Sequence, residues 1–416
     1  MSTATMVSVI MHEIQNLGQK QKGILAASLS CGTILGCVLS GYVSDKYGRV
    51  FAFKRQILVS LVGLLSLFWA QSYTGMICSI MVVGLGNGGD FALTNTIAFE
   101  CFPPTKRSKI TLMSVAWSLG SAVSYGGALV LSYFALEFIE LWRLVVLVTF
   151  FYTVYVAFLR QDLVETPMFL HQKGLSTVLD QTLTYIYKFN GSSEVDHYFP
   201  MMNDWDEANI VEENVSDKAG VLSLFDQHNR VTTLALTVLF FLSGYGYSGL
   251  LFFMPSFLPT DNNIEAYTVI LIQQISGVPG KLLAAYCVDT KLGRKWTTAV
   301  GFLATSFFLV PFLVTTNFAL ILLSTSLYYS FVNMGYSGLY TITAEAFETR
   351  TRTLGNGWLL VFSRVSNIVG PVLVAFLFEL GGVFLSMLVT ITGYFLLFFV
   401  CFFLKETRTP HKLHQH

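Results

Sequence analysis

Gly-Tyr-Val-Ser-Asp-Lys-Tyr-Gly-Arg-Val, residues 41–50, is a charged stretch with two glycines that lies between two long apolar runs. A second stretch of this kind, Ala-Tyr-Cys-Val-Asp-Thr-Lys-Leu-Gly-Arg-Lys, occupies residues 285–295, again between apolar runs. Arg49 and Arg294, the second-to-last residues of the two stretches, are 245 residues apart. This spacing indicates an internal repeat of two similar halves.

The same register relates a second pair of charged segments. Glu100-Cys-Phe-Pro-Pro-Thr-Lys-Arg107 and Glu345-Ala-Phe-Glu-Thr-Arg-Thr-Arg352 share Glu, Phe and the last Arg at matching positions. The aspartates of the first pair, Asp45 and Asp289, are 244 residues apart because the second copy carries one extra residue. The repeat therefore extends over both halves of the chain.

The composition is typical of a membrane protein. Apolar residues make up 53% of the 416 residues and charged residues only 12%, which excludes an ordinary soluble domain. The net charge of zero gives no electrostatic reason to expect nucleic-acid binding. The six cysteines lack CxxC spacing, so we expect no metal site, and no catalytic or nucleotide-binding motif points to an enzyme or a cofactor.

Eleven apolar runs have about the 20 residues that a helix needs to cross a bilayer. They are Ile24–Ser44, Gln56–Ser72, Gly75–Phe99, Ile110–Phe134, Leu141–Phe158, Thr232–Phe257, Tyr267–Val288, Thr297–Thr315, Phe318–Ala344, Leu354–Phe378 and Val383–Leu404. The apolar run Met6–Met11 is too short to cross. We interpret it as the far end of a first, truncated helix, through either an incomplete gene model or a real isoform with a shortened first half.

The basic residues predict the orientation, because short loops rich in Lys and Arg stay in the cytosol. Lys and Arg cluster in the two repeated stretches and in the tail, whereas the alternate loops near Tyr73, Asp261 and Asn317 contain none. We therefore expect an N-terminal half (1–159), a cytosolic linker (160–230), a C-terminal half (231–404) and a cytosolic tail (405–416). Apolar residues at helical spacing in Thr177–Phe189 predict a surface helix within the linker.

The sequence resembles a known family in its repeated stretches. Asp-x-x-Gly-Arg between the second and third spans of each half is similar to the signature loop of the major facilitator superfamily of transporters. Four stretches are similar to the branch that holds the organic-ion transporters and the synaptic vesicle glycoprotein 2-related proteins: Val278-Pro279-Gly280, Val164-Glu165-Thr166-Pro167, Asn87-Gly88-Gly89 and Lys405-Glu406-Thr407. The resemblance implies an all-α polytopic membrane protein with two pseudo-symmetric six-helix halves, monomeric in the lipid bilayer.

The resemblance also implies a conformational latch at the signature loops. In that superfamily the loop aspartate faces the positive N-terminus of a helix in the opposite half; here Asp45 would face the helix that starts near Leu354, and Asp289 the helix that starts near Ile110. A solvated loop that merely fixes the topology is the alternative. The predicted latch residues are Asp45, Gly48, Arg49, Glu100, Arg107, Asp289, Gly293, Arg294, Glu345 and Arg352.

Two ionisable residues fall about 15 Å from a predicted span end, near the midplane of the membrane. Asp90 and Arg364 are candidate functional residues, because charges in this position cost about 2.5–3.5 kcal/mol on insertion scales. Asp90 would bind a cationic group or carry a coupling proton. Arg364 would hold an anionic group or balance Asp90. Structural pairing within the helical bundle is the alternative for both.

Polar and aromatic side chains within the spans form a second set of candidates for substrate contact. Each is also explained by hydrogen bonding or packing between helices. Tyr245 and Tyr247 lie in a glycine-rich stretch in which a helix can bend beside a cavity. The main candidates of this set are Asn87, Tyr245, Tyr247, Gln273, Asn333 and Tyr336, with Asn95, Trp117 and Gln274 as further polar or aromatic positions.

The sequence thus predicts a transporter of a small organic solute, in particular an organic ion, that works by alternating access. A gradient would drive it, by uniport, by symport with a coupling proton or ion, or by exchange, since nucleotide-binding motifs are absent from the sequence. The alternative is a transporter-like protein of a vesicle membrane that binds ligands or partners and transports nothing. We expect a plasma membrane or intracellular vesicle location.

Overall fold

A computed structural model of the chain describes residues 3–14, 17–101, 113–133, 140–189, 224–226, 230–258, 263–290, 292–347 and 349–404. The regular elements in these ranges are helices. In chain order the α-helices are α1 (Thr3–Glu13), α2 (Gln19–Tyr47), α3 (Arg49–Phe68), α4 (Tyr73–Cys101), α5 (Met113–Tyr133), α6 (Leu141–Leu159), α7 (Pro167–Gln172), α8 (Ser176–Phe189), α9 (Arg230–Phe257), α10 (Asn263–Asp289), α11 (Gly293–Leu309), α12 (Pro311–Val314), α13 (Phe318–Ala346) and α14 (Thr349–Val400). Short 3-10 helices follow α6, at Arg160–Asp162, and α14, at Cys401–Phe403.

Nine helices of the described part are long and apolar enough to cross a membrane. The predicted all-α membrane fold is therefore confirmed, whereas the eleven predicted spans are not confirmed as a count. The predicted run Met6–Met11 lies in the buried helix α1, which packs against α9. The linker helix predicted at Thr177–Phe189 corresponds to α8, one residue longer at its start.

Helix α14 contains two predicted runs, Leu354–Phe378 and Val383–Leu404. Its backbone leaves the helical conformation at Gly381 and at Gly382, and Gly382 has φ 63°. A left-handed φ favours glycine because it has no Cβ to collide with the backbone. The two glycines therefore form the corner between two helical arms.

The described chain divides into two compact units. The larger consists of Met1–Ala27, Val115–Val145 and Ala219–His416, and the smaller of Ser28–Ser114 and Val146–Lys218. In the larger unit, α9 packs against α14, and α13 packs against both α10 and α11. In the smaller unit, α3 packs against α4.

Helices α2 and α4 of the smaller unit pack backbone to backbone at glycines. A Cβ on Gly36 would overlap the Leu85 carbonyl, and one on Gly88 would overlap the Thr33 carbonyl. The Cys37 Sγ donates to the Gly88 carbonyl at 3.1 Å across the same seam. Small residues allow this approach, which strengthens dispersion contacts where lipid supplies no hydrophobic driving force between helices.

We expect Gly36→Ala to lower the free energy of unfolding of the purified protein by about 1–3 kcal/mol, the usual cost of overpacking. This loss should appear as a lower melting temperature in detergent. Gly41→Ala is the matched control, because it lies in the same helix and a Cβ there meets no atom within 4 Å. The control should match or exceed the native stability, since alanine favours helix. Equal melting temperatures for the two variants would show that the seam is not tightly packed.

Candidate functional site

The first signature stretch forms a corner between α2 and α3. Gly48 has φ 118°, and a Cβ there would overlap the Glu165 carboxylate. Arg49 follows this corner, and its Nη1 donates to the Asp45 Oδ1 at 2.7 Å and to the Ser44 carbonyl at 3.1 Å. The side chain of Arg49 thus neutralises the C-terminal end of α2, where the helix dipole favours a cation.

Arg49 has a second, more buried partner at the end of α4. Its Nε donates to the Glu100 Oε1 at 3.1 Å, and the two side chains are 13% and 11% exposed. The other oxygen of Glu100 accepts a hydrogen bond from the Thr166 hydroxyl at 2.6 Å. Asp45, by contrast, is 73% exposed. The buried ion pair of this corner is therefore Arg49–Glu100.

Glu165 completes the corner and was absent from the predicted latch residues. Its two carboxylate oxygens accept from the backbone N–H of Val50 at 3.0 and 3.1 Å. This N–H lies in the first turn of α3 and has no partner within the helix. Thr166 and Pro167 follow directly, so the stretch that carried the resemblance after the sixth span attaches α7 to the corner.

We expect Glu100→Gln to destabilise the protein more than Asp45→Asn does. The first change leaves the Arg49 guanidinium without its buried counter-charge and costs up to about 3 kcal/mol. The second removes an exposed pair worth about 0–1 kcal/mol. Thermal melting of the purified variants in detergent measures both, and an equal loss for the two would contradict the ranking.

The second signature stretch forms a similar corner between α10 and α11. Gly293 has φ 72°, and the Arg294 Nη1 donates to the Val288 carbonyl at 3.3 Å. The side chains of Asp289, Glu345 and Arg352, and the whole of Arg107, lie outside the described residues. The latch contacts predicted for Asp45 and Asp289 with the opposite half stay predictions.

Asp90 in α4 is joined to Arg160, at the end of α6, by a two-pronged ion pair. Arg160 Nη1 and Nη2 donate to the two Asp90 oxygens at 2.7 and 2.9 Å. The guanidinium also lies 3.8 Å from the centre of the Phe53 ring and donates to the Phe53 carbonyl.

Arg364, the partner considered for Asp90 from the sequence, belongs to the larger unit. Asn87, one turn before Asp90, is half-buried.

The larger unit contains a connected cluster of tyrosines between α9 and α13. The hydroxyls of Tyr247 and Tyr329 are 3.1 Å apart, and the rings of Tyr247 and Tyr336 meet edge to face with centroids 5.5 Å apart. Tyr336 also stacks on Tyr340. Tyr247 and Tyr336 are half-buried and Tyr340 is exposed, so the cluster presents aromatic faces at its open side.

Amides of α10 and α13 bind the tyrosines from the buried side. The Tyr329 hydroxyl donates to the Gln274 Oε1 at 2.7 Å, and the Gln273 Nε2 donates to the Tyr328 hydroxyl at 3.0 Å. The Asn333 amide donates to the Tyr329 carbonyl at 2.7 Å. Gln273, Gln274 and Asn333 are thus buried and held in place by hydrogen bonds.

This buried network leaves some hydrogen-bonding capacity unused among the described residues. The Gln273 Oε1, the Gln274 Nε2 and the hydroxyl of Tyr394 have no partner, although all three atoms are buried. Such groups are rare in folded proteins and are expected to bind water or a ligand. Tyr245, also predicted as a site residue, is 4% exposed and lies on the same helix as Tyr247.

Two cationic side chains lie in helix interiors of this unit. Arg364 in α14 is half-buried, and its charge is close enough to Tyr340 of the tyrosine cluster to act on it electrostatically. Lys281 in α10 is half-buried, and its Nζ donates to the Ser118 hydroxyl of α5 at 2.8 Å. Lys281 was absent from the predicted site residues. Its charge inside the run Tyr267–Val288 was the available signal.

The larger unit therefore combines aromatic faces, fixed amides and two interior cations. Aromatic side chains and a few placed polar groups are typical of sites for small organic molecules. Among the described residues no three His, Cys, Asp or Glu side chains are placed to hold a metal ion. The arrangement suits recognition of a solute, and the fold and this site define a multi-pass membrane transporter.

Comparison with known proteins identifies the family. The chain belongs to the sugar (and other) transporter family, whose model matches residues 2–411, and thus to the major facilitator superfamily. The niacin transporter NiaP of Acinetobacter baylyi is 26% identical over 349 residues, covering 82% of this chain and 75% of the relative. The synaptic vesicle 2-related protein of Xenopus laevis is 24% identical over 393 residues, covering 89% and 68%.

Solved structures show the same fold. The partially occluded inward-open xylose transporter XylE from E. coli matches with a TM-score of 0.76 at 16% identity, covering 97% of each chain. The human organic anion transporter MFSD10 matches with a TM-score of 0.60 at 17% identity, covering 91% of this chain and 83% of that one. The predicted superfamily and a small-solute transport function are confirmed, and the relatives include synaptic vesicle 2-related proteins.

Proposed function

We propose that this transporter carries a small aromatic organic anion, such as a pyridine carboxylate, by alternating access. The observation that carries the proposal is the sign of the interior charges in the larger unit. Within the described helices of this unit, the charged side chains that lie away from the helix ends and from the Gly381–Gly382 corner are the cations Lys281 and Arg364, whereas Glu379, next to that corner, pairs with Lys20 at 2.7 Å. An interior cation is costly in a membrane unless an anion or a water-filled cavity compensates it.

The mid-span charge of the smaller unit also favours an anionic solute over a cationic one. Asp90, the mid-span carboxylate predicted to attract cations, is neutralised by Arg160, whose Nη1 and Nη2 each donate to one of its oxygens. A carboxylate engaged in this way attracts a cationic solute weakly, because its charge is already balanced. Selection for anions therefore rests on Lys281 and Arg364.

The aromatic faces and the relatives suggest the shape of the solute. Half-buried Tyr247 and Tyr336 offer ring faces on which a planar solute stacks, with a favourable free energy of about 0.5–1.5 kcal/mol for each well-placed ring pair. One relative, from Acinetobacter baylyi, is named as a niacin transporter, and another, from Bacillus subtilis, is named as a putative niacin/nicotinamide transporter. Niacin is a pyridine carboxylic acid, so it has both the ring and the negative charge.

We propose that an ion gradient drives the transport, through a coupling proton or ion, and that the protein acts as a monomer. The C-terminus would be cytosolic, as the distribution of basic residues predicts. The membrane would be the plasma membrane or that of an intracellular vesicle. A transporter-like protein that only binds ligands is not favoured, since the family and the relatives named as niacin transporters point to transport.

Uptake of nicotinate and nicotinamide into cells that produce the protein tests the proposal. The two compounds share the pyridine ring and differ in charge, because nicotinamide is neutral. We expect nicotinate to accumulate above the level in control cells and other aromatic carboxylates to compete with it, while nicotinamide and tetraethylammonium neither accumulate nor compete. Uptake of tetraethylammonium that nicotinate does not inhibit would overturn the anion assignment.

A further inference from the structure

Helix α8 has one apolar side that is buried in the protein. Leu179 and Leu183 form a small core with Phe169 and Leu170 of α7. These two leucines are four residues apart and so lie on one side of the helix. The core fixes the rotation of α8 about its own axis relative to α7.

A second apolar stripe runs beside the buried side and is exposed. It consists of Leu175, just before the helix, and of Val178, Tyr185 and Phe189, with 47%, 43%, 49% and 81% of their surfaces exposed. Steps of three, seven and four residues place the four side chains on one face of a helix. Tyr185 and Phe189 stack on each other, with ring centroids 6.4 Å apart.

The helix is firmly attached beside the ends of membrane spans. Its neighbour α7 is fixed to the first signature corner, because the Thr166 hydroxyl binds Glu100 and the Arg49 guanidinium lies 5.2 Å from the centre of the Phe169 ring. The smaller unit also exposes large apolar residues at the end of α6 and just after it: Phe158, Leu159, Leu163 and Val164. The apolar surface that lipid must cover in a membrane protein thus continues along the chain to α7.

The polar side chains of α8 fit the surface of a membrane. Lys173 before the helix and Lys188 at its end are exposed, and Asp180 is the acidic residue between them, so residues 173–189 carry a net charge of +1. A helix with an apolar face and flanking lysines is typical of helices that lie in the interface of a bilayer. The expected cytosolic side of this corner is the side on which anionic lipids concentrate.

We propose that α8 lies in the headgroup region of the bilayer that the protein spans, with the stripe of Leu175, Val178, Tyr185 and Phe189 inserted among the lipid chains. Burial of the stripe removes apolar surface from water, and the lysines remain at the level of the headgroups. The rigid attachment of α7 to the signature corner then holds that corner at a fixed depth at the membrane surface.

Spin-label accessibility in proteoliposomes tests the proposal. Single cysteines replace Val178 and Tyr185 on the stripe, or Asp180 and Thr184 on the polar side as matched controls, in a form of the full chain whose six native cysteines are replaced by serine. We expect labels on the stripe to collide more with oxygen, which concentrates in lipid, than with a water-soluble nickel complex. We expect the opposite preference for the two control labels.

Two results would overturn the proposal. Equal nickel accessibility at stripe and control positions would place the stripe in water. Labels on the stripe that are shielded from both reagents would place it against protein, either another part of this chain or a second copy.

A second measurement covers the case in which the cysteine-free chain fails to fold. A genetically incorporated fluorescent amino acid stands at position 185 or 180 of the otherwise native chain, which is reconstituted into vesicles that contain brominated lipid. Quenching at position 185 several-fold stronger than at position 180 is expected, and equal quenching at the two positions contradicts the inserted stripe. Adding phosphatidylglycerol to phosphatidylcholine vesicles should strengthen the quenching at 185, because the flanking lysines attract anionic headgroups.

Discussion

Lys281→Met is expected to lower the affinity for nicotinate by about 10-fold to 100-fold, while the protein still folds and reaches the membrane. The Lys281 Nζ is half-buried in the interior of α10 and reaches Ser118 at 2.8 Å. A hydrogen bond to a charged group contributes about 1.5–3 kcal/mol, and each 1.4 kcal/mol is a factor of ten in affinity. Methionine keeps the length of the side chain and removes the charge, so folding should suffer little.

Competition by unlabelled nicotinate for labelled nicotinate uptake measures the loss, normalised to the amount of protein in the membrane. Ser118→Ala is the matched control, because it removes the hydroxyl that Lys281 binds and leaves the cation in place. Lys281→Arg should retain part of the affinity, since it keeps the charge but changes the shape of the donor. Native affinity in Lys281→Met would exclude Lys281 from the anion site.

Arg364→Met gives an independent check on the same site. Arg364 interacts electrostatically with Tyr340, whose ring stacks on Tyr336 of the tyrosine cluster. If the two cations share one anion, the losses from Lys281→Met and Arg364→Met should not add in the double variant, because groups that bind one ligand are coupled. Strictly additive losses would indicate two separate roles.

The sequence predicted the helical fold and the corners because both depend on local pattern. Apolar runs of span length predict helices, and the repeat of Asp, Gly and Arg marks the turns, where Gly48 and Gly293 adopt the positive φ that glycine favours. The ion pair of Asp45 with Arg49 follows from their spacing of four residues on a helix end. The helices and the two corners could therefore be predicted from residues that are close together in the sequence.

The partners of the interior charges could not be predicted, because they depend on tertiary contacts. Arg160 lies 70 residues from Asp90, and on the 245-residue register Asp90 corresponds to Gly335, so nothing in the sequence joins the two charges. Lys281 lies within a run that is apolar on average, and its long side chain reaches Ser118 from a neighbouring helix. Tyr329 was not among the predicted residues although it connects Tyr247 to Gln274.

The pairing of Asp90 with Arg160 predicts that each single substitution lowers the stability of the protein and that the double substitution restores most of it. Asp90→Asn leaves the Arg160 guanidinium, which is 14% exposed, without a counter-charge, and Arg160→Gln leaves the Asp90 carboxylate alone. Breaking a fully buried pair costs about 3–5 kcal/mol, and the partial exposure of both groups reduces this to about 2–3 kcal/mol. The variant with both changes should regain most of the lost stability, because neither charge is then left unpaired.

Thermal melting of the two single variants and the double variant measures this coupling. Glu140→Gln is the matched control: the Arg143–Glu140 pair has a similar distance of 3.0 Å, but its side chains are 31% and 63% exposed. A pair with this exposure contributes about 0–1 kcal/mol, so the control should melt near the native temperature. A small loss for Asp90→Asn, no larger than that of the control, would contradict a stabilising role for the pair.

The same variants decide between the two roles considered for Asp90. If Asp90 carries the coupling proton, uptake by Asp90→Asn loses its dependence on external pH, and adding Arg160→Gln does not restore it, since amides do not titrate. If Asp90 serves to pair Arg160, the double variant recovers both stability and uptake with the native pH profile. The geometry favours the second outcome, because both carboxylate oxygens already accept a guanidinium N–H and a proton on either would displace one of these bonds.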